Sequence, residues 1–256
     1  MVPGMGWEAR RGMRHPLQSE SKAERVVIVG TGEWGATAFE YFSYDSPYEV
    51  VAFSAEAPFI TSDVYYGLPV VPLDELAKAY PPAEYRAFVA VSDIQLNRVR
   101  RRLYDAVKAA GFDCVSYVSS HAFVMRNVEI GENTFVHENA SLEFMVRVGN
   151  NVLIGGGTLI GHSSVIEDDC YAGPHVTVCG GAVVGRSSFL GANSCIADGV
   201  SVAEDCVIGA GAVVLKDAKP RQVYVGSPAR PTGRDSFDAF GVTSGNPHQT
   251  VAKLSS

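Results

Sequence analysis

A six-residue period in the second half of the chain constrains its fold more than any other feature. Every sixth residue from Ile130 to Val214 is aliphatic, at fifteen positions without exception. With apolar residues making up 46% of the chain, such a run would arise by chance about once in 10⁵ trials. A small or β-branched side chain stands four residues beyond most of these positions, and a glycine often follows the aliphatic residue directly. The period therefore indicates a structural repeat.

A six-residue period suits neither an α-helix nor a β-hairpin. It is typical of a chain that forms a short strand, turns a corner and repeats around a triangular prism, with three hexads to each coil. The aliphatic side chain would fill the prism, the small one would fit near the corner, and glycine would allow the dihedral angles that the corner requires. Coils stack at the spacing of strands, roughly 4.8 Å, so residues eighteen apart are predicted to lie directly above one another.

The residues before the repeat alternate between strand and helix patterns. Short apolar runs predict strands at residues 26–29, 50–53, 88–91 and 114–118. The spacing of apolar residues predicts helices at 36–42, 73–80 and 99–110. This order of elements is typical of a small Rossmann-like βαβ domain with a parallel sheet.

The chain therefore divides into four predicted parts. Residues 1–24 have no apolar period and are predicted to be a flexible leader. An α/β domain over residues 25–119 is followed by a parallel β-helix over 120–215. Residues 216–256 form a C-terminal extension, whose end is predicted to be flexible.

Composition excludes several classes of protein. The chain has 21 Lys and Arg against 28 Asp and Glu, a net charge of −7, and lacks the clustered basic residues of a broad nucleic-acid interface. No run of about eighteen apolar residues is present, so no membrane span is expected, and without a secretory signal we predict a cytoplasmic protein. Five cysteines in no CxxC spacing favour reduced thiols in a core over disulfides or a zinc site.

A glycine loop between the first predicted strand and helix is a candidate phosphate-binding site. Its GxGxxG spacing is formed by Gly30, Thr31, Gly32, Glu33, Trp34 and Gly35. In such a loop backbone N–H groups approach a pyrophosphate, helped by the dipole of the helix. Taken alone the loop predicts NAD, with Glu56 binding a ribose hydroxyl, although the domain has only about half the size of a full dinucleotide-binding fold. Asp93 is a weaker candidate contact, equally consistent with a helix cap.

The arrangement of these parts resembles one family. The quoted segments are VIVGTGEWG at the start, FVHENASLEFMVRVGNNV at the entry to the repeat, IGHSSVIEDDC in its middle, and VIGAGAVVLKD and VYVGSPAR at its end. They resemble the sialic-acid O-acetyltransferase and nucleotide-amino-sugar N-acetyltransferase family of hexapeptide-repeat acyltransferases, over residues 25–230. The resemblance implies a left-handed parallel β-helix, acetyl-CoA or another acyl-CoA as co-substrate, and a homotrimer with active sites between neighbouring β-helices. It also implies that the glycine loop holds the nucleotide of a nucleotide-linked sugar.

His162 and Gly180 are the predicted catalytic residues. His162 takes the third place of a hexad, where a side chain points away from the prism, and a neutral imidazole removes a proton from an acyl acceptor near neutral pH. The resemblance makes this histidine the general base. Gly180 lies eighteen residues further, one coil above, where its N–H would stabilise the oxyanion of the thioester. The alternative for Gly180 is a corner glycine with no catalytic role.

Further residues are expected to contact the acyl-CoA or the acceptor. They are Tyr171, Gly173, His175, Gly181 and Lys216, the last toward a CoA phosphate. His175 is equally consistent with a surface residue, and Lys216 with a solvated charge after the last hexad. No metal is expected, because His137, His162 and His175 provide no closely spaced histidine pair.

This chain departs from the family in two places. Ser163 stands where an acidic residue often follows the histidine, and Gly155–Gly157 replaces side chains that would touch an amino sugar. The predicted activity is N-acetylation of an amino group on a nucleotide-linked sugar. The alternatives are O-acetylation of a sugar hydroxyl, as in sialic-acid modification, and a β-helix that binds without catalysis.

Overall fold

The computed structural model describes residues 24–243, which begin with an α/β domain. Its elements are β1 (Glu24–Val29), α1 (Glu33–Tyr44), β2 (Tyr48–Ala55), β3 (Val64–Tyr65), β4 (Leu68–Pro72), α2 (Leu76–Ala79), β5 (Arg86–Val89) and α3 (Arg98–Ala109). The sheet has the order β3-β4-β2-β1-β5 and is parallel except for the β3–β4 pair. Because β2 and β5 lie on opposite sides of β1, the sheet has a topological switch point at the carboxyl ends of β1 and β5.

The predicted elements of this domain differ from the structure in three places. The short strands β3 and β4 are not predicted from the sequence. The helix predicted at 73–80 is a 3₁₀ turn at Leu73–Glu75 followed by the single turn of α2. The strand predicted at 114–118 contributes only an isolated bridge between Cys114 and Ala87. Its last two residues form β6 of the following domain instead, because they pair with residues eighteen positions further along the chain.

A parallel β-helix with three faces follows. The first face contains β6 (Tyr117–Val118), β9 (Phe135–Val136), β12 (Leu153–Ile154), β15 (Tyr171–Ala172), β18 (Phe189–Leu190), β21 (Val207–Ile208), β23 (Gln222–Val225) and β24 (Arg230–Asp235). The second contains β7 (Phe123–Val124), β10 (Ser141–Leu142), β13 (Leu159–Ile160), β16 (Thr177–Val178), β19 (Cys195–Ile196) and β22 (Val213–Val214). The third contains β8 (Glu129–Ile130), β11 (Arg147–Val148), β14 (Val165–Ile166), β17 (Val183–Val184) and β20 (Ser201–Val202). The helix α4 (Ser236–Ala239) follows β24.

The register confirms the stacking rule derived from the sequence. Ser141 pairs with Leu159, and Leu159 pairs with Thr177, so each step up the prism is eighteen residues. The aliphatic residue of each hexad is the second residue of its strand, and fourteen of the fifteen are buried, Ile130 at the lower end being partly buried. These side chains form one continuous core along the axis of the prism.

The corners of the prism are named by the faces they join. The first corner joins the first and second faces, the second corner joins the second and third, and the third corner joins the third and first. Each contains a residue with positive φ, for example Gly157, Ser163 and Asp169 at the first, second and third corners of one coil. Small and polar residues tolerate this conformation best, which explains the composition of the repeat between its aliphatic positions.

The α/β domain packs against the first face of the β-helix. Tyr117 and Phe135 on that face share a buried core with Phe42 and Phe88 of the α/β domain. The buried side chain of Arg100 on α3 crosses the same interface, and its guanidinium donates to the carbonyl oxygens of residues 151 and 170 at 3.1 Å each. Burial lowers the pKa of Arg100 to about 10, so the side chain stays protonated at neutral pH. The two domains therefore form one packed body with a fixed cleft between them.

The predicted flexible leader falls on residues 1–24, of which only Glu24 lies within the described residues, and residues 244–256 of the C-terminal extension also lie outside them. In residues 24–243 no helix has both the length and the apolar character needed to cross a membrane.

Candidate active site

The second corner presents His162 to solvent. The residue lies between β13 and β14, just past the aliphatic residue Ile160, and its side chain is exposed. Its backbone N–H donates to Glu143 Oε2 at 3.1 Å, from the coil below, and its carbonyl oxygen accepts from the N–H of Gly181 at 2.8 Å, from the coil above. The corner that carries the imidazole is therefore held from both sides.

Gly180 lies directly against the imidazole of His162. A Cβ atom at position 180 would be 2.4 Å from His162 Nε2 and 2.6 Å from Cε1, so only glycine leaves room for the ring. Within residues 24–243 the N–H of Gly180 has no hydrogen-bond acceptor, like the equivalent corner N–H groups of Gly156 and Ala192. At other corners this N–H is used, since those of Asn150 and Arg186 donate to Asp168 and Glu167. An unused N–H donor beside an exposed imidazole is the arrangement that acyl transfer requires.

Lys216 stands in the same column as His162 and Gly180. It follows β22, the last strand of the second face, three coils above His162, and its side chain is exposed. Three coils correspond to a distance of roughly 14 Å along the prism. Gly181, which also belongs to this corner, has φ +67° and open space around it.

A cleft of about 390 Å³ opens at the first corner, between the α/β domain and the β-helix. Its walls include Trp34 and Tyr41 of α1, with Tyr171 and His175 of the β-helix opposite. The ring of His175 lies over Gly157, where a Cβ atom would be 2.5 Å from His175 Nδ1. The glycines at residues 155–157 thus form an open floor for the cleft.

Gly173 and Tyr171 have packing partners of their own. A Cβ atom at Gly173 would be 3.0 Å from the backbone nitrogen of Ala192, so the contact between coils leaves little room for a side chain there. The ring of Tyr171 stacks on Phe189 at 4.9 Å while it also borders the cleft. Of Gly173 and Tyr171, therefore, only Tyr171 has a side chain that borders the cleft.

The glycine loop lines a second, more apolar cleft of about 320 Å³ at the switch point of the sheet. Gly30 has φ +132°, and a Cβ atom on it would be 2.4 Å from the carbonyl oxygen of Ala90. A Cβ atom on Gly35 would be 2.2 Å from the carbonyl oxygen of Gly30. Gly32 has no neighbour within 4 Å, and α1 begins there with no side-chain cap. Gly30 and Gly35 therefore allow close packing of the backbone, and Gly32 leaves the start of α1 open to an anion.

Two other residues predicted to contact the nucleotide already have intramolecular partners, and of the two only Glu56 borders this cleft. Both oxygens of Glu56, which borders the cleft, accept from Arg102 at 2.7 and 2.8 Å. Asp93 Oδ1 accepts from the hydroxyl of Ser92 at 2.7 Å, and its carbonyl oxygen accepts from the N–H of Asn97 at 3.1 Å. Thr31 and Glu33 line the cleft with the loop glycines.

The structure brings some of the predicted site residues together and separates others. Trp34 borders both clefts, so the glycine-loop cleft and the first-corner cleft with His175 are adjacent. His162 and Gly180 stand at the second corner, on the other side of the second face. Within a single chain the predicted base therefore faces away from the predicted nucleotide site.

Two carboxylates that the sequence analysis did not single out contribute to these sites. Glu143 holds the backbone of His162, and Glu138 borders the first-corner cleft. A signal for Glu143 exists in the sequence, since side-chain acceptors recur eighteen or nineteen residues from the corner N–H groups that they cap. The role of Glu138 depends on its contact with Tyr41, which is 97 residues away in the chain, and no periodic spacing indicates such a pair.

The cysteines pack inside the fold or lie partly exposed as free thiols. Burial raises the pKa of Cys114 and of Cys170 to about 12, which keeps both protonated. In residues 24–243 no group of three or more His, Cys, Asp and Glu side chains is placed to hold a metal ion.

The family model described as bacterial transferase hexapeptide (six repeats) matches residues 181–216. A comparison with curated protein sequences finds no match. Among solved structures, a variant of perosamine N-acetyltransferase from Caulobacter crescentus, in complex with CoA and GDP-perosamine, is similar with a TM-score of 0.72 and 27% identity, over 82% of this chain and 97% of that chain. This match and the repeat confirm the left-handed β-helix with its preceding α/β domain, and they support the predicted class of acyltransferase.

Two further structures share the fold. The acetyltransferase domain of PglB from Neisseria gonorrhoeae has a TM-score of 0.70 and 21% identity, over 82% of this chain and all of that chain (100%). WeeI from Acinetobacter baumannii has a TM-score of 0.60 and 19% identity, again over 82% of this chain and 100% of the other. At these identities the likeness establishes the architecture.

Proposed function

We propose that this hexapeptide-repeat protein transfers an acyl group from acyl-CoA, most simply acetyl-CoA, to an amino group of a nucleotide-linked sugar. The observation that carries the proposal is the exposed imidazole of His162 lying over Gly180, whose N–H has no acceptor within residues 24–243. The similar enzyme from C. crescentus is a sugar N-acetyltransferase and was captured with CoA and a nucleotide sugar, which supports the same pair of substrates here.

The chemistry needs one base and one oxyanion donor. The acceptor nitrogen attacks the thioester carbon while His162 Nε2 takes its proton. The carbonyl oxygen gains the negative charge and is stabilised by the N–H of Gly180, a contribution of about 3 kcal/mol for one such donor. When the tetrahedral intermediate collapses, the carbon–sulfur bond breaks, and the imidazolium returns the proton to the thiolate of CoA.

The acyl carrier is expected to lie along the second corner of the prism. Gly180 and Lys216 follow His162 in one column, and the roughly 14 Å between His162 and Lys216 suits an extended pantetheine arm. The ammonium group of Lys216 would then pair with a phosphate of CoA.

The nucleotide is expected to bind at the glycine loop. The uncapped start of α1 and the open space at Gly32 favour a pyrophosphate, and Trp34 separates this position from the first-corner cleft. A sugar attached to the pyrophosphate would extend past Trp34 into that cleft. Glu56, held by Arg102, would present its outer face to the ribose.

Because base and nucleotide site face apart within one chain, we propose that a neighbouring copy completes the active site in a homotrimer. The second corner is flanked by exposed apolar side chains suited to such a contact, with exposed fractions of 63% for Phe123, 51% for Phe144 and 55% for Met145. Phe144 lies directly below His162, so an interface that buries it would place the imidazole against the neighbour.

The function is tested by incubating the protein with acetyl-CoA and a panel of nucleotide-linked amino sugars and hydroxy sugars while thiol release is followed. We expect release with the amino sugars, and a loss of about 10² to 10⁴ in kcat for His162→Ala. His121→Ala, which removes another exposed imidazole, is the matched control and should retain activity. Release with hydroxy sugars alone would instead establish O-acetylation, and nucleotide binding without release from any acceptor would establish a binding module.

The trimer is tested by complementation. Chains with His162→Ala keep the nucleotide site, and chains with Gly32→Ala keep the base. At a low concentration of the nucleotide-linked sugar, where both variants are impaired, co-expressed mixtures should therefore be more active than either variant alone. Light scattering should give three chains for the wild type and a smaller species for Phe144→Arg. A monomeric wild type with full activity would contradict this arrangement.

A further inference from the structure

The first-corner cleft contains a carboxylate that the proposed reaction does not use. Glu138 lies at the base of this cleft, next to His137. The hydroxyl of Tyr41 donates to Glu138 Oε2 at 2.7 Å, and His137 Nδ1 is 3.5 Å from the same oxygen. The carboxylate is therefore held in one orientation by a residue from the other domain.

This carboxylate carries a negative charge that the surrounding groups leave uncompensated. Burial acts to raise the pKa of Glu138, but the hydrogen bond from Tyr41, the backbone N–H of Glu138 itself and the neighbouring His137 together outweigh it and lower the net pKa, so the group is ionised at neutral pH. Burial lowers the pKa of His137, which favours the neutral ring, and raises the pKa of Tyr41 to about 12, which keeps its hydroxyl protonated. Within residues 24–243 no lysine or arginine forms an ion pair with Glu138.

The second oxygen of Glu138 faces the open floor of the cleft. No other residue in 24–243 donates a hydrogen bond to Oε1, which is 3.4 Å from the place that a Cβ atom on Gly156 would take. Since the floor has no side chains at residues 155–157, nothing there covers this oxygen. A free, ionised acceptor beside the ring of Trp34 suits a sugar, whose hydroxyls donate to the carboxylate while its C–H groups pack on the ring.

We propose that the first-corner cleft binds the sugar of the substrate, and that Glu138 makes it selective. The cleft would then accept neutral and amino sugars and exclude sugars that carry an acidic group. The inference rests on the proposed function, which places the nucleotide at the glycine loop and the sugar beyond Trp34. An acidic sugar would bring a second negative charge into a cleft whose described lining offers no cation, and selectivity by such repulsion is common in binding sites. The restriction favours amino sugars over sialic acids as acceptors.

The experiment is titration calorimetry on the full-length protein. UDP, GDP, CDP and dTDP are tested first. With the nucleotide that binds, matched sugars are compared that differ only by a carboxylate at C6, such as UDP-glucose with UDP-glucuronic acid or GDP-mannose with GDP-mannuronic acid. We expect the neutral sugar to bind at least tenfold more tightly than the acidic one to the wild type, and the ratio to fall below threefold in Glu138→Gln.

Three further variants test whether the charge of Glu138 causes the preference for the neutral sugar. Tyr41→Phe disturbs the same cluster but keeps the charge, so the preference for the neutral sugar should persist. Glu129→Gln removes an exposed carboxylate on the third face and should behave as the wild type. Glu138→Ala provides a second test of the charge if the glutamine variant does not fold.

The results that overturn this inference differ from those that overturn the proposed function. Equal affinity of the wild type for the two sugars, or an unchanged ratio after the loss of the Glu138 charge, would overturn this inference while leaving the proposed function intact. If none of the four nucleotides binds, the nucleotide part of the proposed function is wrong, and the inference fails with it.

Discussion

At the scale of single residues, the candidate site depends on which corner positions have no side chain. His162 is exposed because the residues that follow the buried aliphatic position of each hexad turn away from the prism. Its ring occupies the volume that a side chain at position 180 would need. Gly180 therefore leaves space for the base and also provides a free N–H beside it. Glu143 then holds the backbone of His162 in place.

Gly180→Ala tests this coupling at the residue scale. A Cβ atom would be 2.4 Å from His162 Nε2, so the ring must move, and a displacement of about 1 Å is expected to lower kcat about 10²-fold. In a His162→Ala background the same change should alter kcat less than about twofold, because the ring and the clash are both absent. Thiol release measures both effects, with circular dichroism as the control for folding. Losses that multiply would show that the two residues act independently.

At the scale of elements, the glycine loop combines two different requirements in six residues. Gly30 and Gly35 allow β1 and α1 to approach the backbone of their neighbours, and Gly32 leaves the first turn of α1 uncovered. The helix begins without a side-chain cap, so its first N–H groups remain available to a ligand. The loop therefore provides both the packing of the sheet and the candidate phosphate site.

The two roles separate under substitution. Gly32→Ala should fold normally, because φ at this residue is −86° and no atom lies within 4 Å of the new Cβ, but it should weaken nucleotide binding about tenfold or more. Gly35→Ala should lower the free energy of unfolding by about 2 kcal/mol or more, because the new Cβ would be 2.2 Å from a backbone oxygen. Calorimetric titration and urea unfolding measure the two effects. A Gly32→Ala variant that binds nucleotide like the wild type would contradict the assignment of the loop.

At the scale of the whole molecule, the position of the α/β domain on the first face creates the first-corner cleft. Asp45, which follows the last residue of α1, stabilises the contact between the two domains. Its Oδ2 accepts from the hydroxyl of Tyr117 at 2.6 Å, the hydroxyl of Ser119 at 3.0 Å and the N–H of Ser120 at 3.0 Å. Burial acts to raise the pKa of Asp45, but hydrogen bonds from Ser120, Tyr117 and Ser119 outweigh it and lower the net pKa.

This lowered pKa gives stability a predictable dependence on pH. The folded state favours the ionised carboxylate, so the contribution of Asp45 is complete above the ordinary aspartate pKa of about 3.9 and is lost as the pH falls through the lower pKa of the folded protein. The difference in free energy of unfolding between the wild type and Asp45→Asn should therefore shrink as the pH is lowered from 6 to 3. Urea unfolding at each pH measures this difference. A difference that stays constant over this range would exclude the ionised carboxylate as its source.

The sequence by itself determined the β-helix, its register and the pairing of His162 with Gly180. It could do so because each coil touches the next at a constant spacing of eighteen residues, so a periodic pattern of burial reports the contacts directly. The glycine loop was likewise predictable, since its geometry depends on consecutive residues.

Only the tertiary structure decided what lies between the domains. The contact of Tyr41 with Glu138, the transfer of residues 117–118 from the α/β sheet to the first coil, and the separation of His162 from the glycine loop all depend on how the α/β domain packs against the first face. That packing joins side chains such as Phe42 and Phe135, which are distant in the chain and follow no common period. Shape and burial select such contacts in three dimensions, and no local pattern in the sequence records them.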